Sequence, residues 1–246
     1  MFLRSFFSLI LLIFTSPPSF AQEPNWQLYD QFLKRSITKK IVQGIPVNYV
    51  NYSQIVKDKE FSNLVSQIGS YPIEKLTSKN EKLAFYINAY NILAINVIKQ
   101  HWPIKSIKEA GSWFTPVWNK TAGKINGRKT SLDAIENKIL RKLGEPRIHF
   151  AIVCASLSCP DLRVEAYKAA LLNSQLTDQI KIFLHNSKKG FIVMGSTAKS
   201  SKIFKWFSED FDTSDGVDAF IHHSLPHIKF NKVDPSLPYN WSLNGG

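Results

Sequence analysis

The chain is 246 residues long, 44% apolar and 13% aromatic, with a formal net charge of +12. That length allows one large domain or two small ones with a real buried core, and beyond the first 21 residues no stretch is apolar enough to span a bilayer. The basic residues are spread through Lys34-Arg35, Lys39-Lys40, Lys188-Lys189 and residues 199–205. This argues against a nucleic-acid tail and fits a partner such as an anionic envelope polymer or lipid headgroups.

The opening residues have the grammar of an export leader. Arg4 is followed by an apolar run over 6–14, a Ser16-Pro17-Pro18 break and the small-x-small sequence Ser19-Phe20-Ala21. A signal peptide over 1–21 is expected, leaving a mature domain 22–246 of charge +11, periplasmic or secreted. Gln22 in place of a cysteine argues against a lipid anchor.

Periodicity predicts a helix over 22–42 ended by Gly44, a short strand over 47–52, and a helix from Ser53 to Ile68. Ser78-Lys79-Asn80-Glu81 is a capping box. The run 83–98 behind it is apolar almost all round, so this helix should be central. Asn88 and Asn91, three apart, put two amides on one side of it and need partners. An aromatic, irregular stretch holds Trp113, Phe114 and Trp118, and Asn126-Gly127 marks a hairpin turn. A second capping signal at Thr130-Ser131-Leu132-Asp133 opens a helix to Leu143, ended by Gly144. A strand over 147–153 runs into a loop with the two cysteines. A helix over 175–186, a strand over 191–194, an aromatic segment over 203–211, a helix over 216–225 and a Pro-containing tail complete the chain. The expected fold is α+β: one domain, with a central buried helix packed on a small β-sheet and further helices around it.

The chemistry concentrates where the predicted strand becomes a loop. His149, Cys154, Ser156, Ser158 and Cys159 lie within eleven residues. On a regular strand His149 and Cys154 would face opposite sides, about 16 Å apart, so Cys159 is the better partner for the imidazole. Pro160 suggests a helix start, with Cys159 at its N-cap and its thiolate favoured there, against the nearby Asp161. One reading is therefore a thiol-dependent hydrolase or acyl transferase acting on an envelope amide or ester. Cys159 would attack, His149 would manage the proton, and Asn88 or amides of 155–158 would hold the oxyanion. The other is a non-catalytic binding module with a Cys154–Cys159 disulfide, engaging an anionic polymer or a partner protein. A metal site from His149, Cys154 and Cys159 lacks a clear fourth ligand. No P-loop, dinucleotide fingerprint or nucleophile elbow is present, and no cofactor is expected.

Several segments in order resemble one known family, the domain of unknown function 547. They are Val47-Asn48-Tyr49, the helix segment 83–91, Ser131-Leu132-Asp133-Ala134-Ile135-Glu136, the segment 146–151, Cys154-Ala155-Ser156 with Ser158-Cys159-Pro160, Ile203-Phe204-Lys205-Trp206-Phe207 with Asp210-Phe211, and Tyr239-Asn240-Trp241-Ser242-Leu243-Asn244. The resemblance implies no established activity. It does imply a candidate set of Asn88, Asn91, His149, Cys154, Ser156, Cys159 and Arg163. Relatives of the family also occur in chains without export signals, where a structural disulfide would not persist. Three positions depart from the family pattern: Val153 and Asn240 stand where Asn and Asp are frequent, and Asn137 where His is.

Overall fold

The first helix stops sooner than its periodicity predicts, and the reason is a turn. In the computed structural model, which describes residues 24–212 and 215–246, α1 covers Gln27–Ser36 and buries Tyr29, Phe32 and Leu33. The predicted leader over 1–21 lies outside the described residues. β1 (Ile37–Val42) then pairs antiparallel with β2 (Ile45–Val50). Gln43 and Gly44, with φ of 51° and 76°, both adopt the left-handed conformation that a tight hairpin requires. The β-branched Ile37, Thr38, Ile41 and Val42 favour the strand, so the helix expected to reach residue 42 ends at 36. The next helix is also split: Asn51 caps α2 (Tyr52–Ile55) and Asp58 caps α3 (Lys59–Ser70), in place of one helix from Ser53.

The organising element is α4 (Lys79–His101), and its capping box is formed as the sequence predicts. Ser78 Oγ accepts from the Glu81 amide, while Glu81 Oε2 accepts from the Ser78 and Thr77 amides. Every residue from 83 to 98 is buried. α4 packs on the hairpin of β3 (Thr121–Ile125) and β4 (Arg128–Ser131), which turns at Asn126-Gly127 as expected. α5 (Leu132–Ile135) follows, capped by Ser131. It widens into a π turn over Glu136–Leu140, then tightens and ends at left-handed Gly144.

The second half builds a separate aromatic core. Phe150, Phe183, Phe204, Phe211 and Phe220 cluster there. Around them lie α6 (Leu172–His185), α7 (Ile203–Trp206), α8 (Ser208–Phe211), α9 (Gly216–Ser224) and a three-stranded sheet of β5 (Phe191–Met194), β6 (Thr197–Ser200) and β7 (Lys232–Asp234). β5–β6 is antiparallel and β6–β7 parallel. The fold is α+β, about a buried central helix with small sheets at its flanks. No helix among the described residues is long and apolar enough to cross a membrane.

The segment 147–153 is not a strand. Pro146–Phe150 forms a 3₁₀ turn with Pro in its first turn and Glu145 capping the Arg147 amide. What a neighbouring strand would supply comes instead from α4: Asn91 Nδ2 donates to the Ala151 carbonyl at 2.9 Å, and its Oδ1 accepts the Val153 amide at 2.8 Å. Asn88 does the same for Tyr167, at 2.8 and 2.9 Å. The two amides predicted to share a side of the helix thus hold two irregular segments to it. Leucine at position 91 would keep the branched shape of the side chain but strand a buried carbonyl and a buried amide. Asn91→Leu should destabilise the fold by roughly 2–4 kcal/mol. A urea denaturation midpoint equal to wild type would refute this assignment.

Candidate functional site

Cys154 and Cys159 are bonded to each other, closing a loop whose second residue, Ala155, is left-handed at φ 58°. The loop is laced to the C-terminal tail. The Leu157 and Ser158 amides donate to the Ser242 and Asn240 carbonyls, Asn240 N donates to Ser158 Oγ, and Asn244 N donates to the Ala155 carbonyl. The tail continues onto β2, where Val50 N donates to Asn244 O and Gly246 N to Val50 O. No helix follows Pro160; the next helical turn begins at Ala169, so the N-cap argument for a Cys159 thiolate does not apply. The Leu157 and Ser158 amides, expected among the oxyanion donors, are engaged within the protein. Asn88, expected as another, is spent on Tyr167.

A cavity of about 320 Å³ opens beside the disulfide, at the seam between the two cores. Its walls are aromatic: Tyr90, Trp118, Trp206, Phe207, Tyr239 and Trp241. Trp241 stands edge-on to Trp118 at 5.6 Å and lies parallel to Trp206 at 5.8 Å, while Tyr239 packs on both Trp206 and Trp241. Asp133, Glu136 and Asn137 form the polar side, and no lysine or arginine among the described residues lines it. His149, Cys154 and Cys159 also face it. The strand reading put His149 and Cys154 on opposite sides; the 3₁₀ turn brings both to one cavity.

Burial lifts the Glu136 carboxyl to about 7, against the hydrogen bond from Tyr90 Oη at 3.4 Å. It stands at the start of the π turn, a wide turn that often marks functional positions. A chain of polar contacts borders the same wall. Asn137 Nδ2 donates to Asp133, and its Oδ1 accepts from Arg141. Arg141 grips Asp210 with two nitrogens, at 2.6 and 2.8 Å, and Asp210 Oδ2 also meets His149 Nε2 at 2.7 Å. That last distance would suit a charge pair. However, burial pushes the His149 pKa down to about 4, and Arg141 already balances Asp210. We therefore assign a neutral imidazole with Nε2–H donating to Asp210. Nδ1 then carries a lone pair, buried and without a partner among the described residues. Phe207 stacks on the ring at 4.0 Å.

Tyr239 occupies the centre. Its hydroxyl lies 3.2 Å from Cys159 Sγ and 3.5 Å from Cys154 Sγ, and it receives a bond from Ser156 Oγ at 3.3 Å. Of the residues singled out in the sequence, His149, Cys154 and Cys159 converge on the cavity, and Ser156 reaches it through Tyr239. Asn88, Asn91 and Ser158 hold backbone. Arg163 is tied to Glu165 and Asp178 and is not among the lining residues. Glu136, Tyr90, Tyr239 and the tryptophans were not anticipated as site residues. Glu136, Tyr90, Tyr239, Trp206 and Trp241 all fall in segments that carry the family resemblance.

Fold and site together define an α+β domain with one aromatic, acid-lined cavity beside a disulfide. A family model described as protein of unknown function, DUF547, matches residues 73–184, so that segment is similar to the domain of unknown function 547 family. The matched region contains α4, Glu136, His149 and both cysteines, whereas the tail that supplies Tyr239 and Trp241 lies beyond it. Searches of the curated proteins and of the solved structures found no match.

Two groups at the site give opposite pH dependences. Glu136 is raised from 4.5 to about 7, so its contribution to stability is full below about 4.5 and is lost as pH rises through about 7. His149 is lowered from 6.5 to about 4, so its contribution is full above about 6.5 and is lost as pH falls through about 4. Glu136→Gln should therefore change stability little near pH 5. Near pH 8 it should stabilise the protein by roughly 1–3 kcal/mol, because it removes a buried charge. Urea midpoints at the two pH values measure the difference; equal effects at both would show that Glu136 titrates normally.

Proposed function

We propose that this protein is a binding module whose cavity captures a small organic cation, with the Cys154–Cys159 disulfide closed. The observation that carries this is the make-up of the walls: six aromatic side chains, two carboxylates and, among the described residues, no lysine or arginine, within a protein of net charge +12. Aromatic faces attract cations through their quadrupole, most strongly where water is excluded, and a carboxylate supplies the balancing charge. The outer surface is of the opposite character. A cleft lined by Lys39, Lys40, His185 and Lys188 suits an anionic envelope polymer or lipid headgroup. Export, as the leader predicts, belongs to this proposal, since an oxidising compartment keeps the cysteine pair closed.

The thiol-dependent hydrolase or acyl transferase is the second reading. It is favoured by one observation, that Cys159 and His149 line the same cavity. It requires the disulfide to open and the amide or ester substrate to find other oxyanion donors than Asn88.

Tryptophan fluorescence of the full chain, titrated with tetramethylammonium and with tert-butanol as a neutral control of the same heavy-atom count and shape, tests the first reading. The cation should bind at least about tenfold more tightly at pH 8 than at pH 5, because Glu136 is ionised only above about 7. Glu136→Gln should abolish that difference. Equal binding of the neutral molecule would sink the cation reading.

A further inference from the structure

We infer that the Cys154–Cys159 pair is a thiol–disulfide exchange site for small thiols that enter through the aromatic cavity. The two sulfurs are not equivalent. Both line the cavity, but Cys154 is partly exposed whereas Cys159 is 3% exposed. An incoming thiol therefore meets Cys154 first. The buried sulfur has the closer donors: the Cys154 amide points at Cys159 Sγ at 3.2 Å and the Tyr239 hydroxyl sits at the same distance, whereas the hydroxyls nearest Cys154 Sγ lie at 3.5 and 3.6 Å. Ser156 Oγ donates to the Tyr239 oxygen, which leaves the phenolic proton for sulfur. Burial raises the Tyr239 pKa, so the phenol keeps that proton. Two aligned donors stabilise a thiolate more than a disulfide sulfur, and a stabilised thiolate leaves faster. A purely structural disulfide has no need of them.

The reaction balances with the thiol as the only co-reactant. A small thiolate attacks Cys154 Sγ, the Sγ–Sγ bond breaks, and the electron pair leaves on Cys159 as a thiolate. A second thiolate attacks the small molecule's sulfur in the mixed disulfide and releases Cys154. Two small thiols are oxidised to one disulfide, the cystine is reduced, and their two protons pass to the two cysteines. The same steps run in reverse with a small disulfide. This exchange uses the cavity but does not rest on the cation reading.

The test treats the native full chain with cysteamine, a cationic thiol, and with 2-mercaptoethanol, a neutral one. Intact mass follows the reaction, and near-ultraviolet circular dichroism reports whether the fold persists. Exchange should proceed in the folded protein, with the adduct mapped to Cys154. Tyr239→Phe should slow it about tenfold, the worth of one hydrogen bond to a charged sulfur. If Tyr239→Phe does not fold, Ser156→Ala, which releases the phenol from its orienting bond, should slow exchange in the same direction. Reduction only upon unfolding, an adduct on Cys159, or undiminished rates in the folded variant would each overturn the proposal. Equal rates with the two thiols would count against the cation reading while leaving exchange standing.

Discussion

The arrangement depends on two carboxamides inside a helix. Asn88 and Asn91 are fully surrounded, and each offers one donor and one acceptor to a backbone peptide of a segment with no strand beside it. A buried peptide without partners costs as much as a lost hydrogen bond or more, so the irregular segments 151–153 and 165–168 can be buried only because α4 supplies those bonds. This lets a functional loop sit against the centre of the domain, held by side chains, with the chain free to bend. The bend over 146–150 is what turns His149 and Cys154 toward a common space.

The cavity then follows from where the two cores meet. Tyr90 and Ile152 belong to the core around α4, Ile203 and Phe207 to the aromatic core of the second half, and Tyr239 packs against both. Neither core fills the seam. Polar groups placed there have little access to water, which is why Glu136 holds its proton toward neutrality and His149 resists one. The Arg141–Asp210–His149 chain bridges α5's extension to α8, so the acid–base character of the seam and the docking of the two halves are fixed by the same contacts.

Much of this was legible in the chain itself. The capping box, the all-round apolar run of α4, the Asn126-Gly127 turn and the two Asn three residues apart each have a local physical signature, and each appears as read. The failures are equally physical. Residues 37–42 carry apolar spacing compatible with either period, and the decisive signal was the pair Gln43-Gly44, whose left-handed backbone a glutamine does not advertise. The run 148–153 is buried throughout, which β-branched composition alone cannot distinguish from a strand; its true partner was the side chain of Asn91. The cavity was invisible because its walls come from six separate stretches. Glu136 looked like a helical carboxylate, and only tertiary burial makes it unusual.

The lacing of the cysteine loop to residues 240–244 bears on the order in which the molecule is made. Those residues follow their partners by some eighty positions, and β2 by nearly two hundred. During synthesis the core around α4 has all of its buried residues but Leu243 in hand well before the tail emerges, and Phe230 and Val233 complete the second core shortly before it. Until it does, the loop lacks its clamp, Tyr239 has not covered the sulfurs, and two aromatic walls are missing. The cysteines are thus most open to an oxidant in the nascent protein, and the seam is the last region to mature, at a point when the scaffold that defines its shape already stands.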